Sequence, residues 1–308
     1  MDQIYDIIIL GGGAAGYTAA MYAVRGGHSV LVIEKMTPGG QMATTDMIDN
    51  YPGYPDGIDG FTLGMQMQKG AERYGAETAY AEVLSVDLKE DIKTVRTDSG
   101  EYCGKAVIIA TGASPKKLGL EGEEQLTGQG VHYCAHCDGR FYKGKTVVVV
   151  GGGNSAVSDA LYLSALAKKV YLVHRRDTLR ATKIYHEPLM KASNVTFLWN
   201  SRVEEFLKND KLTGVQVRDL KNDTVQSIDC DGVFVSIGRI PETGLLVGQL
   251  DLDENGYVLA DESTKTNLAG VFAAGDVRTK PFRQVITAAS DGAVAASMAE
   301  AYFWSEEM

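Results

Sequence analysis

Two stretches of the chain align with each other without a gap. They are Asp6–Lys35 (DIIILGGGAAGYTAAMYAVRGGHSVLVIEK) and Thr146–Arg175 (TVVVVGGGNSAVSDALYLSALAKKVYLVHR), 140 residues apart. Each opens with a short apolar, β-branched run, passes through Gly-Gly-Gly into an Ala-rich helical stretch, and closes on a second β-branched run. This is a β-α-β unit written twice, and it points to two related α/β domains. The 308 residues leave room for two cores. A weaker echo links Tyr102–Gly112 (YCGKAVIIATG) to Asp229–Gly238 (DCDGVFVSIG). Each domain is thus expected to hold a later buried strand ending in Gly. Cys103 and Cys230 then fall at matching points, as small buried hydrophobes.

The second copy runs out near Gly244. Thr266–Asp276 (TNLAGVFAAGD) is another strand-like run, and Val285–Trp304 reads as a terminal helix rich in Ala, Ser and Met. This tail has no counterpart in the second copy. The expected arrangement is therefore a domain of residues 116–244 inserted into one made of 1–115 and 245–308. Crossings near Pro115 and Gly244 would permit a hinge.

The first glycine loop is Gly11-x-Gly13-x-x-Gly16. Gly11 allows the tight turn, Gly13 lets the backbone approach a pyrophosphate, and Gly16 allows close helix–strand packing. The free N–H groups and dipole of the following helix favour a phosphate there. Glu34 ends the second strand, where a carboxylate would accept hydrogen bonds from a ribose diol. The second loop is Gly151-x-Gly153-x-x-Ala156, and the position matching Glu34 is His174, followed by Arg175 and Arg176 with Arg180 nearby. Guanidinium groups there would bind a 2′-phosphate that a carboxylate would repel. Opposite electrostatics imply two dinucleotides: FAD suits Glu34 and NADPH suits the Arg cluster, so that hydride passes from nicotinamide to flavin.

Cys134-Ala135-His136-Cys137-Asp138-Gly139 lies just before the second loop. A Cys-x-x-Cys ring opens and closes easily and can relay two electrons. Asp138 is the nearest carboxyl to supply a proton, or else a turn and capping residue. His136 either tunes a neighbouring thiol or is an exposed spacer. Zinc competes, because His132, Cys134, His136 and Cys137 fall within six residues, although a second ligand pair is not obvious. With only four cysteines, the chain is no secreted disulfide framework. The net charge of −10 argues against a nucleic-acid surface. Neither a basic leader nor an apolar run of membrane-spanning length is evident, so a cytoplasmic protein is expected.

Together these motifs resemble the low-molecular-weight, bacterial-type thioredoxin reductases over essentially the full chain. Further matches are Gly39-Gly40-Gln41, Ala110-Thr111-Gly112, and Ala273-Ala274-Gly275-Asp276 followed by Arg283-Gln284. His136 departs from the family, which commonly has Thr there. The resemblance implies two Rossmann-like, three-layer α/β domains, with the NADPH domain inserted into the FAD domain. It implies FAD contacts at Gly11, Gly13, Ala14, Ala15, Gly16, Glu34, Lys35, Gly40, Gln41, Asn50, Val83, Thr111, Gly112, Gly275, Asp276, Arg283, Gln284 and Val285. NADPH contacts are implied at Gly151, Gly153, Asn154, Ser155, Ala156, His174, Arg175, Arg176, Arg180, Ile237 and Gly238. By the same resemblance, Cys137 is the flavin-proximal sulfur, Cys134 attacks thioredoxin, and Asp138 is the acid–base residue. Such enzymes are homodimers that alternate between two domain orientations. The candidate alternatives are a flavoprotein serving a peroxiredoxin, a ferredoxin-fed relative, a ferredoxin–NADP reductase, and a non-enzymatic redox sensor or zinc-stabilised module.

Overall fold

The computed structural model describes residues 3–306 except residue 46. The chain divides into two compact units, Met1–Ser114 with Ile240–Met308, and Pro115–Arg239. Residues 240–244, expected in the inserted domain, fall in the first unit instead, and Pro115, expected in the first, falls in the second. The Glu242 N–H donates to the Gly112 carbonyl (3.0 Å), and the Glu242 carbonyl accepts the Thr111 hydroxyl (2.8 Å).

In the first unit, Ile4–Leu10 runs parallel to Val30–Glu34 on one side and Gly100–Ile109 on the other. Glu77–Tyr80 extends the sheet beyond Val30–Glu34, and Val271–Ala273 joins Gly100–Ile109, both parallel. Lys93–Thr97 and Val83–Asp87 continue it antiparallel. Ile7–Leu10 is a continuous apolar run because the strand is covered on both faces. Ile7 and Ile9 pack with Tyr17, Ala20 and Ala23 on one side, and Ile8 and Leu10 with Leu246 and Val258 on the other. Each buried Ile, Leu or Val among them contributes about 1.5–3 kcal/mol. The Ala-rich helix Ala14–Arg25 lies against Val285–Glu306. They meet so closely that a Cβ on Gly292 would sit 2.2 Å from the Ala15 carbonyl oxygen.

The second unit has a five-stranded parallel sheet in the order Val195–Trp199, Lys169–His174, Thr146–Val150, Gly232–Val235, Val131–His132. Val147 and Val149 pack on Ala156, Val157, Ala160 and Leu163 of the helix Asn154–Ser164. Val148 and Val150 pack on Val203, Phe206, Val215 and Val217. These last belong to an antiparallel sheet of Ser201–Lys208, Leu212–Asp219 and Thr224–Asp229. Helix, parallel sheet and antiparallel sheet make three layers.

The repeat extends to strand register. Ile8 lies opposite Leu31, and Val148 opposite Tyr171, each pair shifted by the same 140 positions. The cysteine echo slips by one residue. Ile8 faces Val107 and Val148 faces Val233, which brings Gly112 and Gly238 into equivalence and leaves Cys103 matched to Asp229. A one-residue slip reverses the face a side chain occupies. Cys103 is accordingly half-buried within its strand, while Cys230 precedes its strand and is buried. Burial pushes the Cys230 thiol up to about 12, with nearby Asp231 acting the same way, so it stays protonated.

Candidate active site

In the first unit, candidate residues gather at the carboxyl ends of the parallel strands, the edge where open α/β sheets bind ligands. Gly11 turns at φ +103°, and a Cβ there would lie 2.5 Å from the Ala110 carbonyl oxygen. A Cβ on Gly16 would meet the Gly11 carbonyl oxygen at 1.9 Å, so only glycine lets the helix start this close to the strand. Gly13 has only the Gly39 carbonyl near its missing Cβ, at 4.0 Å, so its backbone is not crowded on that side. Ala14 and Ala15 begin the helix beside it.

Glu34 is already engaged by backbone donors. Its Oε2 accepts the Gly12 N–H (2.7 Å) and its Oε1 the Met36 N–H (3.0 Å), so it pins the loop it serves. The Gly39 N–H donates to the Gly12 carbonyl (2.8 Å), bringing Gly40 and Gln41 alongside, and the Gln41 side chain donates to the Ala113 carbonyl. Gly275 closes on Ala15, and Val285 packs in one cluster with Ala14 and Met42. The Asn50 amide donates to Gln284 (3.0 Å). The Arg283 guanidinium lies 4.0 Å from the Tyr257 ring centre and donates to the Asp276 carbonyl. Lys35 extends to Glu82 (2.7 Å), and Val83 packs against the core shared by Leu10 and Ile33.

The motifs did not reveal the support under Gly275. Asp291 accepts the Gly275 N–H (2.9 Å), Arg278 through both Nε and Nη2 (2.8 Å each) and Lys280 (2.8 Å). Burial raises the Asp291 carboxyl, but Arg278, Lys280 and the Gly275 N–H outweigh it and hold the group below the ordinary carboxylate range.

In the second unit, Gly151 turns at φ +146° against the Ser236 carbonyl, and Gly153 has open space where its Cβ would be. Asn154 accepts the Thr182 N–H (2.8 Å), and the Arg180 N–H donates to the Gly152 carbonyl (2.7 Å). The segment carrying Arg175, Arg176 and Arg180 is thereby tied to the loop, with all three arginines exposed. Ser155 and Ala156 open the helix, and Ile237 and Gly238 follow Ser236 out of the adjacent strand.

His174 lies under the loop, against Gly152, and is only 6% exposed. Burial lowers its pKa, and the positive charges of Arg180, Arg176 and Arg175 lower it further. His174 therefore stands beneath the loop backbone, while Arg175, Arg176 and Arg180 are the exposed members of the group.

Cys134 and Cys137 are joined by a disulfide around the one-turn helix Ala135–Asp138. The Asp138 N–H donates to the Cys134 carbonyl (3.1 Å). Its carboxylate Oδ2 lies 3.0 Å from Nδ1 of His132. His136 is no exposed spacer: its ring is tilted 4.4 Å from that of Tyr162, because the helix Asn154–Ser164 packs against this turn. On that helix, Asp159 accepts the Ser236 hydroxyl. Burial pushes Asp159 above the ordinary range, with Ser236, His136 and Arg239 acting the other way. Asp159 carried no sequence signal. Among the described residues, no three His, Cys, Asp or Glu side chains converge as a metal site.

Over residues 5–292 the chain matches the family described as pyridine nucleotide-disulphide oxidoreductase. It is 44% identical over 302 residues to a thioredoxin reductase of Treponema pallidum, covering 98% of each chain. It is 45% identical over 302 residues to one of Listeria monocytogenes, covering 98% of this chain and 94% of the relative. The crystal structure of thioredoxin reductase from Streptococcus pyogenes superposes with a TM-score of 0.91 at 43% identity, covering 99% of this chain and all of that one. Gly-rich loops, strand ends and the disulfide turn thus occur in the fold that these relatives share: the chain belongs to the pyridine nucleotide-disulphide oxidoreductase family, in its branch of low-molecular-weight, bacterial-type thioredoxin reductases.

Proposed function

We propose that the protein takes two electrons from NADPH through FAD and uses them to reduce the disulfide of a thioredoxin through Cys134 and Cys137. The observation that carries this reading is the Cys134–Cys137 disulfide, next in sequence to Asp138 and in the same unit as the Arg-flanked glycine loop. The first unit is the FAD domain and the second the NADPH domain. The open approach at Gly13 and Gly153 and the closed one at Gly11 and Gly16 fit a pyrophosphate at each loop. FAD, when bound, supplies the hydride acceptor and the two-electron donor.

The chain's own residues handle sulfur and proton. Reduction breaks the Cys134–Cys137 bond and leaves Cys134 as a thiolate and Cys137 as a thiol, with Asp138 supplying the proton. Cys134 attacks the partner disulfide, one partner sulfur leaves as a thiolate, and a mixed disulfide remains. Asp138 then takes the Cys137 proton, and Cys137 attacks Cys134, which releases the second partner sulfur and restores the disulfide. Arg175, Arg176 and Arg180 select NADPH by its 2′-phosphate. The protein acts as a cytoplasmic homodimer. No helix among the described residues is long and apolar enough to cross a membrane.

The test is anaerobic titration of the purified protein with NADPH at the flavin band, followed by oxidised thioredoxin. Bleaching and then recovery is the expected result. Bleaching without recovery would redirect the reading to another disulfide partner, and no bleaching of FAD-loaded protein would overturn NADPH as donor.

A further inference from the structure

His132 stands on the two-residue strand Val131–His132, opposite Phe234 on the neighbouring strand. It is 7% exposed. Its ring stacks on Phe234 (centroids 5.3 Å apart, planes at 26°) and meets the Tyr142 ring edge-on at 5.2 Å. Both nitrogens are engaged, Nδ1 with Asp138 Oδ2 at 3.0 Å and Nε2 with the Tyr142 hydroxyl at 2.6 Å. Burying an imidazole between aromatic rings costs free energy unless both nitrogens are satisfied, and here both are.

The chemistry of the neighbours fixes which nitrogen carries the proton. Burial raises the Tyr142 hydroxyl well above its ordinary range, and Asp138, Asp231 and Cys230 add to this. The phenol therefore keeps its proton and can donate it in a hydrogen bond to Nε2. A carboxylate oxygen accepts, so the hydrogen at Nδ1 of His132 is donated to Asp138 Oδ2. Lys145, 5.2 Å from the centre of the Tyr142 ring, is the cation beside this group. The sequence Tyr142 to His132 to Asp138 thus points all its donors toward the carboxylate.

We infer that His132, backed by Tyr142, is a positioning residue for the disulfide exchange: its Nδ1–H holds Oδ2 of Asp138 and leaves Oδ1 to exchange the Cys137 proton. This rests on the reading that Asp138 serves the cysteine pair. An unheld aspartate at the end of a one-turn helix would spread over several rotamers, and proton transfer requires hydrogen-bond reach.

The test uses the FAD-loaded protein reduced with dithiothreitol, desalted, and mixed with Ellman's reagent in a stopped-flow instrument. Attack by the Cys134 thiolate releases one thionitrobenzoate. Attack by Cys137 on Cys134, after Asp138 takes the Cys137 proton, releases the second and re-forms the disulfide. The variants are His132→Asn, whose amide N–H reaches the place of Nδ1, and His132→Gln and His132→Leu, which leave Oδ2 without a donor. The second release should slow about 10-fold or more in His132→Gln and His132→Leu, with the first release unchanged. It should stay within about 3-fold of the parent in His132→Asn, since general acid–base assistance spans roughly 10²–10⁴-fold. A second release unchanged in His132→Gln, or slowed equally in His132→Asn, would overturn the inference. If His132→Leu does not fold, the Asn and Gln variants decide the matter. Failure of the parent protein with thioredoxin, but not with Ellman's reagent, would defeat the proposed partner alone.

Discussion

The His174 ring lies so close beneath Gly152 that a Cβ on that glycine would fall 2.3 Å from it. In the first unit, the equivalent contact is a hydrogen bond from the Gly12 N–H to Glu34. One loop is thus held from below by a carboxylate, the other by a neutral ring. Replacing Gly152 with Ala should push the ring aside and misplace the loop. The expected result is a KM for NADPH raised about 10-fold, the scale of one lost hydrogen bond of about 1.5 kcal/mol, with FAD content unchanged. Steady-state kinetics and the flavin absorbance ratio check both.

Arg175 and Arg176 are exposed at the same loop. Charge-assisted hydrogen bonds of about 1.5–3 kcal/mol correspond to roughly 10–100-fold in affinity. Arg175→Ala with Arg176→Ala should raise the KM for NADPH by about that factor and leave that for NADH nearly unchanged. Equal effects on both nucleotides would mean the 2′-phosphate is bound elsewhere.

Cys134→Ser should abolish thioredoxin turnover while NADPH still bleaches the flavin, because Cys134 is the sulfur assigned to attack the partner. Normal turnover in this variant would refute the relay.

Asp291 holds Gly275 while accepting from Arg278 and Lys280, with Arg278 only 2% exposed. Asp291→Asn leaves buried positive charge uncompensated and should cost about 3–5 kcal/mol. The native carboxyl lies below its unfolded value, so its stabilisation is full above the unfolded range near ~4 and is lost as pH falls through the lowered native value. Urea midpoints of parent and variant should therefore differ most near neutrality and converge in acid. A gap independent of pH would show that the charge plays no part.

The sequence made the nucleotide-binding architecture legible because its signals are local. Glycine spacing, β-branched runs and an Ala-rich stretch recur at one offset, and the register of Ile8 with Leu31 and Val148 with Tyr171 follows that offset. The antiparallel layer was harder to read. A register shift between Val203 and Glu205 breaks the alternation that marks such a strand. The matching of Cys103 with Cys230 failed through a single inserted position. His132 was visible only as a candidate metal ligand, since its partnership with Asp138 depends on how a strand and a one-turn helix fold back. Asp291 reads as one more polar residue on a long helix until Arg278 and Lys280 come to it in space.

The split first unit imposes an order of assembly on the growing chain. When residue 239 has been made, the inserted unit has all its strands, whereas the first lacks Val271–Ala273 and the helix Val285–Glu306. Ala19, Ala20 and Ala23, made early, gain the cover of Ala295, Ala296 and Ala299 only when the last helix emerges. The glycine loop translated first is likewise completed by Gly275, translated near the end. Domains fold as units during synthesis. The inserted unit should therefore fold before the first unit can close its core and complete its glycine loop, so that the binding edge of the first unit is the later of the two to form.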